Sequence, residues 1–339
     1  MRAVVLVGGE GTRLRPITET IPKPLVPLVD RPSLAHVLDH LARHGVHEVV
    51  LSSSYHEETF GAFIRSRRGD PVISWITETE PLGTGGAIVN ALEALDTDEP
   101  FLALNGDILT DLDVTEMLAL HRDRGAVATI ALTHVNDARP YGLVPMNGQG
   151  LVLEFREKPA ELIPGDINAG TYVLERSALQ GWTRGESVSI ERQIFPALIA
   201  AGRPLYGFPS GAYWMDLGTP EAYLQANWDL LDGRVGGEPA YPSPFIQSEG
   251  VHEQGVLGRH VVVGPRVSVA ATATVEESVL FEAASVDGSA VVRRSIVGAD
   301  AQVQAGATVV GSVLGEGAVV GVGATVREGR VRPGERIEA

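Results

Sequence analysis

The first part of the chain alternates short apolar runs with segments whose apolar residues recur at helical spacing. Ala3–Val7 is a β-branched run that predicts a buried parallel strand. Ser33 precedes apolar residues at helical spacing, so we predict a helix that Ser33 caps. Further predicted strands are Glu48–Ser52, Val72–Thr77 and Phe101–Leu104, and further predicted helices are Gly86–Leu95, one from Asp113 to about Arg124, and Glu221–Leu230 behind the Thr219 cap. This alternation over residues 1–228 predicts an α/β domain with a mostly parallel sheet, in which ligands bind beyond the carboxyl ends of the strands.

The hydrophobic pattern changes after Gly255. Ser278, Ser295 and Ser312 each begin a Ser-aliphatic-aliphatic triplet at a spacing of 17 residues, and an aliphatic residue returns every six residues within each unit. This period predicts three short strands per coil, stacked as a parallel β-helix, and a β-sandwich with chance spacing is the alternative. Residues 229–254 are rich in Pro and Gly and predict a linker. We therefore predict a first domain over 1–228, a linker over 229–254 and a β-helix over 255–339.

Composition narrows the classes of function. The 339 residues contain no cysteine, which excludes disulfides, a thiolate nucleophile and Cys-ligated zinc. The net charge of −16 argues against a nucleic-acid backbone as partner. Since no apolar run has the length of a signal-peptide core or a membrane span, we expect a cytoplasmic protein without membrane contact. Only Lys23 and Lys158 are lysines among 27 basic residues, which indicates either chance or sites that need a compact ammonium.

A glycine-rich turn follows the first predicted strand. Gly8, Gly9 and Gly11 let the backbone approach a ligand closely and point N–H groups at an anion. Arg13 and Arg15 follow at once and can bind phosphate oxygens. Pro22 and Pro24 flank Lys23, so we expect Lys23 to lie in a stiff extended segment.

These residues resemble the signature of the sugar-1-phosphate nucleotidyltransferases, or nucleotide-sugar pyrophosphorylases. Asn105-Gly106-Asp107 and Trp214-Met215-Asp216-Leu217-Gly218-Thr219-Pro220 resemble the family's two acidic segments, which implies that Asp107 and Asp216 bind Mg²⁺. The resemblance also implies a Rossmann-like nucleotidyltransferase domain followed by a left-handed β-helix of hexapeptide repeats. Two further segments, Glu157-Lys158-Pro159 and Asn168-Ala169-Gly170, are similar to the family's sugar-phosphate segments.

The resemblance implies a set of site residues. Nucleotide binding falls to Leu6, Gly8, Gly9, Gly11, Thr12, Arg13, Lys23, Glu78, Gly83, Thr84, Gly106 and Asp107. Sugar-phosphate binding falls to Asn105, Tyr141, Gly142, Glu157, Lys158, Asn168 and Gly170. Catalysis falls to Arg13, Lys23, Asp107, Lys158 and Asp216, through in-line attack of the sugar phosphate on the nucleotide with release of pyrophosphate.

The sequence determines the nucleotide base and the acceptor sugar phosphate less closely than the type of reaction. Glu78 offers two acceptor oxygens that suit the adjacent N–H donors of guanine, although a solvated Glu at a strand end is the alternative. Val188–Pro196 resembles a segment of mannose-1-phosphate guanylyltransferases, so GTP and mannose-1-phosphate, or a related heptose or cyclitol phosphate, are the expected substrates. The same reaction with dTTP, UTP or ATP and glucose-1-phosphate remains open.

Two other classes of function also remain. A β-helix of this kind can carry an acyltransferase site, but such sites use a His as base, and the only histidines after His134 are His252 and His260. A regulatory subunit that senses nucleotide sugars is the second. The exposed edges of the coils further indicate a homo-oligomer.

Overall fold

The computed structural model describes residues 1–54, 57–247, 252–253 and 255–339. The strands up to residue 216 are β1 (Arg2–Leu6), β2 (Pro27–Leu28), β3 (Arg31–Pro32), β4 (Glu48–Ser53), β5 (Val72–Thr77), β6 (Phe101–Asn105), β7 (Ile108–Thr110), β8 (Ala128–Val135), β9 (Gly142–Leu143), β10 (Arg156–Glu157), β11 (Gly165–Leu174), β12 (Leu205–Pro209) and β13 (Trp214–Asp216). The α-helices are α1 (Ser33–Arg43), α2 (Glu57–Ser66), α3 (Gly83–Leu95), α4 (Val114–Asp123), α5 (Phe195–Ala200) and α6 (Pro220–Leu231). Short 3₁₀ turns cover Thr12–Leu14, Ile17–Glu19, Lys23–Leu25 and Arg176–Leu179, and Ile190–Ile194 is π-helical. None of the helices in these described ranges is both long and apolar enough to cross a membrane.

The chain divides into two compact units. Unit 1 comprises Met1–Gly9 and Val37–Trp214, and unit 2 comprises Glu10–His36 and Met215–Ala339. We refer to residues 10–36 as the arm. Unit 2 thus contains the arm, α6 and the repeat region. The predicted domain boundaries at residues 228 and 254 stay a prediction.

Unit 1 is built on a nine-stranded, mostly parallel sheet. The strand order is β10-β9-β11-β6-β1-β4-β5, and β8 pairs with both β11 and β12. Strands β1, β4, β5 and β6 run parallel to one another, β12 runs parallel to β8, and β11 lies antiparallel between β6 and β8. Apolar residues of β1, β6, β8 and β11 meet α3 and the segment around residues 188–198 in one core. The Rossmann-like, mostly parallel fold predicted from the sequence is confirmed.

Most of the predicted elements lie where the pattern placed them. Val72–Thr77 has the predicted bounds, and Asp113 caps α4 by accepting a hydrogen bond from the backbone N–H of Glu116. Thr219 caps α6 in the same way, through the N–H of Ala222. The predicted cap at Ser33 is wrong. Ser33 is the first residue of α1 and so lies inside the helix, and its buried hydroxyl donates to the carbonyl oxygen of Pro24 at 3.1 Å.

The repeat region of unit 2 is a parallel β-helix with three faces. One face contains Phe245–Ile246, Val262–Val263, Val279–Leu280, Ile296–Val297, Val313–Leu314 and Arg330–Val331. The second contains His252–Glu253, Ser268–Val269, Ser285–Val286, Gln302–Val303, Val319–Val320 and Arg336–Ile337, and the third contains Val256–Leu257, Thr274–Glu276, Val291–Arg293, Thr308–Val310 and Thr325–Arg327. Aliphatic and Ala side chains from all three faces fill the interior. The first strand, Phe245–Ile246, lies within the predicted linker, of which residues 248–251 and 254 lie outside the described part.

The 17-residue serine spacing has a structural cause. Ser278, Ser295 and Ser312 are buried, and each hydroxyl oxygen accepts the backbone N–H of the residue one coil further on. Each hydroxyl also donates to the carbonyl two residues before it. We call this column the serine ladder. It pairs backbone groups inside the coil stack that water cannot reach.

Candidate active site

The last glycine of the glycine-rich turn, Gly11, lies in unit 2 and has a tight backbone. Gly11 has a φ of +62°, and a Cβ atom there would lie 2.9 Å from Cγ2 of Thr18 and 3.1 Å from Cβ of Lys23. Both the left-handed backbone and the lack of space therefore require glycine. The 3₁₀ turn Thr12–Leu14 follows, and it places Arg13 with 63% of its side chain exposed.

Two cations of the arm surround one carboxylate. Nη2 of Arg13 lies 3.3 Å from Oδ2 of Asp216, and Nζ of Lys23 lies 3.8 Å from Oδ1 of the same residue. The Asp216 side chain is 21% exposed, and its buried Oδ1 has no hydrogen-bond partner among the residues that the structure describes. A half-satisfied carboxylate between two cations is suited to exchange protein contacts for a ligand. We call Arg13, Lys23 and Asp216 the charge cluster.

The residues that follow Asp216 shape the backbone beside its carboxylate. A Cβ atom at Gly218 would lie 2.8 Å from Cζ of Arg13 and 2.9 Å from Oδ1 of Asp216, so glycine leaves room for the charge cluster. Thr219 caps α6, and Pro220 occupies the first turn, where its missing N–H costs nothing. The motif thus combines one charged side chain with three residues that shape the backbone around it.

Lys23 lies on a helical turn and not in the extended segment that its flanking prolines predict. Lys23–Leu25 is a 3₁₀ turn, and the N–H of Val26 donates to the carbonyl oxygen of Lys23. The side chain is buried, with 8% exposed. Proline sets only φ, which suits a 3₁₀ turn as well as an extended strand, so the turn was not excluded by the sequence.

Helix α6 holds the arm in place. Oδ1 of the fully buried Asn227 accepts the N–H of Val29 at 2.9 Å, and the Tyr223 hydroxyl donates to the carbonyl oxygen of Pro27. Arg15, by contrast, pairs with the exposed Glu10 at 3.5 Å, so its guanidinium is not part of the charge cluster. The expected phosphate contact of Arg15 stays a prediction.

In unit 1, the glycine residues bring β1 and β6 together at their carboxyl ends. Leu6 pairs in register with Asn105, and the N–H of Gly106 donates to the Leu6 carbonyl oxygen at 2.9 Å. The carbonyl oxygen of Gly8 accepts the Ser54 hydroxyl at 2.9 Å. Asp107 follows Gly106 in the turn between β6 and β7. It therefore lies where ligands bind in sheets of this type.

Internal hydrogen bonds of Glu78 hold the loop between β5 and α3, which we predict to bind the base. Oε1 of Glu78 accepts the Ser52 hydroxyl at 3.0 Å, and Oε2 accepts the N–H of Leu82 at 3.1 Å. Gly83 has a φ of +69° and packs against the carbonyl of Val188, where a Cβ atom would come within 2.8 Å. The Glu78 carboxylate therefore shapes the loop, and an ionised carboxylate retains lone pairs for further donors.

The predicted sugar-phosphate residues form one group around β11. Oδ1 of Asn168 accepts the N–H of Gly170, and a Cβ atom at Gly170 would lie 2.7 Å from Nδ2 of Asn105. The indole of Trp214 donates to the Ala169 carbonyl oxygen at 2.9 Å and packs edge-to-face on Tyr141 at 5.4 Å. The structure thus brings these segments together, and it adds Trp214, which the sequence analysis did not assign to the site although its motif contains it.

Lys158 lies at the edge of the same group. The backbone N–H of Lys158 donates to the Tyr141 carbonyl oxygen, and the Lys158 ammonium lies 3.8 Å from Oε1 of Glu157. Glu157 in turn pairs with Gly142. The side chain is 61% exposed, and the backbone is left-handed, with φ +50°. A left-handed lysine is strained, and such strain is concentrated at functional sites.

Two buried hydrogen bonds lie beside the Glu191 carboxylate. The Thr84 hydroxyl donates to Glu191 at 2.7 Å, and Nδ2 of Asn168 donates to the Tyr172 oxygen at 2.8 Å. Burial, with the Glu191 charge, holds the pKa of Tyr172 well above its usual value near 10, so the phenol stays protonated as a donor. Sequence reasoning missed Glu191 and Tyr172 as site residues, although Glu191 lies in the quoted segment Val188–Pro196.

Neither acidic segment by itself supplies a full set of ligands for a divalent cation. The described ranges contain no group of three or more His, Asp and Glu side chains arranged to hold a metal ion. Asp107 lies in unit 1 and Asp216 in unit 2. The buried, unpartnered Oδ1 of Asp216 is a hard oxygen of the kind that binds such cations, whose other positions phosphate oxygens and water can fill.

Comparisons with known proteins show which proteins the chain resembles. Residues 2–233 match the model of the family described as "Nucleotidyl transferase", and residues 244–339 match the "GMPPB C-terminal domain". The mannose-1-phosphate guanylyltransferase of Mycobacterium tuberculosis is 36% identical over 297 residues, covering 84% of this chain and 81% of that protein. The mannose-1-phosphate guanylyltransferase 1 of Arabidopsis thaliana is 36% identical over 294 residues, with the same coverage. The crystal structure of HddC from Yersinia pseudotuberculosis complexed with GMP-PN superposes with a TM-score of 0.58 and 31% identity, covering 67% of this chain and 97% of that one.

Proposed function

The chain belongs to the nucleotidyl transferase family, and from that membership we propose that it transfers GMP from GTP to mannose-1-phosphate. The products are GDP-mannose and pyrophosphate. One oxygen of the sugar phosphate forms a bond to the α-phosphorus as the bond from that phosphorus to the pyrophosphate oxygen breaks. The chain is accordingly an enzyme that acts on a nucleotide and a sugar phosphate.

The charge cluster carries this proposal. Phosphoryl-type transfer needs positioning and charge stabilisation more than covalent chemistry, and Arg13 and Lys23 supply two cations close to the glycine-rich turn. We assign Arg13 and Lys23 to the charge that develops on the α-phosphate and the departing pyrophosphate. Neighbouring N–H groups of Gly8, Gly9 and Gly11 contribute hydrogen bonds to the nucleotide phosphates.

Members of this family use divalent metal ions, and we propose Mg²⁺ as the ion here. Asp107 and Asp216 would hold it, in keeping with the unpartnered Oδ1 of Asp216. When bound, it would neutralise phosphate charge and orient the triphosphate. Asp216 on its own also spaces Arg13 and Lys23, since both cations contact its carboxylate.

We assign the acceptor to the residues around β11. Lys158 orients the attacking phosphate from its exposed, left-handed position, with Glu157 holding the ammonium. Asn168, Gly170, Tyr141 and Gly142 bind the sugar hydroxyls, and Asn105 lies against Gly170 from β6. The hydrogen bonds that Asn168 donates to the Tyr172 hydroxyl and accepts from the Gly170 N–H fix the orientation of its amide, which leaves one of its N–H groups for a sugar hydroxyl.

The preference for guanine rests on Glu78 and on the relatives. Each oxygen of Glu78 accepts one internal hydrogen bond, and a carboxylate can accept about four in all, which leaves capacity for the N1–H and N2–H₂ donors of guanine. The relatives named above are guanylyltransferases for mannose-1-phosphate, and HddC was crystallised with GMP-PN. Leu6, Gly83, Thr84, Thr12 and Gly106 complete the proposed nucleotide site.

Pyrophosphate release by the purified chain tests the function. GTP, ATP, dTTP and UTP are each combined with mannose-1-phosphate, glucose-1-phosphate, a heptose-1-phosphate and a cyclitol phosphate, with and without Mg²⁺. We expect turnover to be highest with GTP and mannose-1-phosphate. A preference for dTTP or UTP would overturn the role of Glu78, and a preference for the heptose or cyclitol phosphate would reassign the acceptor.

A pair of variants tests the charge cluster. Asp216→Asn keeps the size of the side chain and removes its charge, so we expect kcat to fall by about a hundredfold or more. Glu221→Gln, five residues later on the exposed start of α6, is the matched control and should retain full turnover. Near-normal turnover of Asp216→Asn would refute the assignment. The expected cytoplasmic location and homo-oligomeric state stay predictions.

A further inference from the structure

One arginine of the β-helix contacts the backbone that follows the glycine-rich turn. Arg330 begins the last strand of the first β-helix face, and its Nη1 donates to the carbonyl oxygens of Arg13 and Arg15 at 2.8 and 2.6 Å. All three residues belong to unit 2. The contact joins residues more than 300 positions apart in the sequence.

Other arginines of the β-helix form ion pairs instead of contacting the arm. Arg259, Arg266, Arg293 and Arg336 pair with carboxylates of the β-helix itself. Surface pairs of that kind contribute little to stability. Arg330 instead donates to two uncharged backbone oxygens of the arm, so its position affects the shape of that backbone.

The carbonyls that Arg330 contacts lie at the end of a weakly held turn. Within Thr12–Leu14 the closing hydrogen bond, from the N–H of Arg15 to the carbonyl oxygen of Thr12, is 3.4 Å long. The terminal carbonyls of a helical turn lack partners inside the turn, and a cation near them is favourable. Arg330 supplies both hydrogen bonds and charge at this point.

We propose that Arg330 is a positioning residue for the transfer reaction, and that the β-helix acts through it to hold Arg13 in the charge cluster. The proposal rests on the function proposed above. Arg13 is long and mostly exposed, so its guanidinium stays 3.3 Å from Asp216 only while its backbone is fixed. Arg330 fixes that backbone at residues 13 and 15. It acts through the backbone carbonyls and is not itself assigned to substrate.

The chemistry of the contact defines the test variants. A single nitrogen, Nη1, makes both hydrogen bonds. Arg330→Lys places an ammonium with three donors on a flexible stem, so it can make both bonds again. Arg330→Met keeps an apolar stem of similar length and has no donor. Arg327→Met, on the preceding strand of the same coil and also exposed, is the matched control.

The experiment measures turnover and amide hydrogen exchange on the full chain. For Arg330→Met we expect a tenfold loss of kcat, the effect of about 1.4 kcal/mol in the barrier. KM for mannose-1-phosphate should stay within twofold, and the amides of residues 12–15 should exchange faster while those of the β-helix interior remain protected. Arg330→Lys should restore most of both properties, and Arg327→Met should match the wild type.

Several results would overturn the proposal. Wild-type kcat and exchange in Arg330→Met would show that the contact has no consequence. Faster exchange throughout the β-helix, or a failure of Arg330→Lys to restore turnover, would show a structural role alone. If the wild type releases no pyrophosphate with any substrate pair, the proposed function fails. The exchange of residues 12–15 in the three variants then still decides whether Arg330 holds the turn.

Discussion

Replacement of Gly218 by alanine separates the geometry of the charge cluster from the stability of the fold. The added methyl group would lie 2.8 Å from Cζ of Arg13 and 2.9 Å from Oδ1 of Asp216. Both distances are far shorter than a normal carbon contact, so one group must move. The guanidinium of Arg13 is the end of a flexible, mostly exposed side chain, and it can turn into solvent more readily than Asp216 can leave its buried position.

The structure sets the size of the two effects. Gly218 has no left-handed φ, so alanine is not strained by its backbone. Loss of an exposed ion pair costs about 0–1 kcal/mol of stability. A cation removed from the transition state costs more, about 2.7–4 kcal/mol in comparable sites, or about a hundredfold to a thousandfold in kcat. We therefore expect a folded protein that turns over very slowly.

The measurements are the free energy of unfolding in urea and the kcat for pyrophosphate release with GTP and mannose-1-phosphate. Gly211→Ala is the control, because a methyl group there has no atom within 4 Å and the backbone φ is not left-handed. It should change neither quantity. If Gly218→Ala keeps wild-type kcat, the contact between Arg13 and Asp216 is irrelevant to the reaction. If its stability falls by several kcal/mol, the glycine serves the fold and not the cluster.

Three further changes test other parts of the structure. Ser295→Ala removes the buried acceptor for one N–H of the serine ladder, so the free energy of unfolding should fall by about 1–3 kcal/mol, while the exposed Ser268→Ala should leave it unchanged. Tyr172→Phe frees the Asn168 amide, and KM for mannose-1-phosphate should rise about fivefold with little change in KM for GTP; equal changes in both would contradict the assignment. Burial lowers the pKa of His121 below its ordinary value of 6.5, so the unfolded chain binds the proton first and stability should fall as the pH drops below 6.5. His121→Gln should flatten that slope by at most about 1.4 kcal/mol per pH unit, and an unchanged slope would refute the role of His121.

The fold was predictable where one local signal dominates. β5 is a β-branched run, and the caps at Asp113 and Thr219 need only side chains within three residues, so both were placed from the sequence. Strand β11 was not, because it begins with Gly165-Asp166-Ile167-Asn168 and contains an irregularity in its register between Asn168 and Tyr172. Ser33 shows the same limit, since α1 starts at Ser33 itself and its hydroxyl donates to the carbonyl oxygen of Pro24, outside the helix.

The candidate site was predictable to the extent that each contact lies within a motif. Gly218 and Thr219 act on residues nearby in the sequence or within the same recognised motif. Glu191 accepts the Thr84 hydroxyl from a segment that the sequence analysis used only to identify a subgroup. Arg330 carries no local signal, because nothing in Gly329-Arg330-Val331 indicates that its partners are carbonyls near the start of the chain.

The two lysines that survive in this arginine-rich chain are retained for different physical reasons. Lys23 is 8% exposed, and its Cβ lies close enough to Gly11 to exclude a Cβ atom there, so the larger, planar guanidinium would have to displace packed neighbours. Lys158 is 61% exposed, and its ammonium contacts Glu157 at 3.8 Å, so the fold itself leaves room for arginine. Protein packing therefore explains a lysine at position 23 but not at position 158. At position 158 the explanation rests on the proposed contact with the sugar phosphate, which a compact ammonium on a flexible stem approaches differently from a rigid fork.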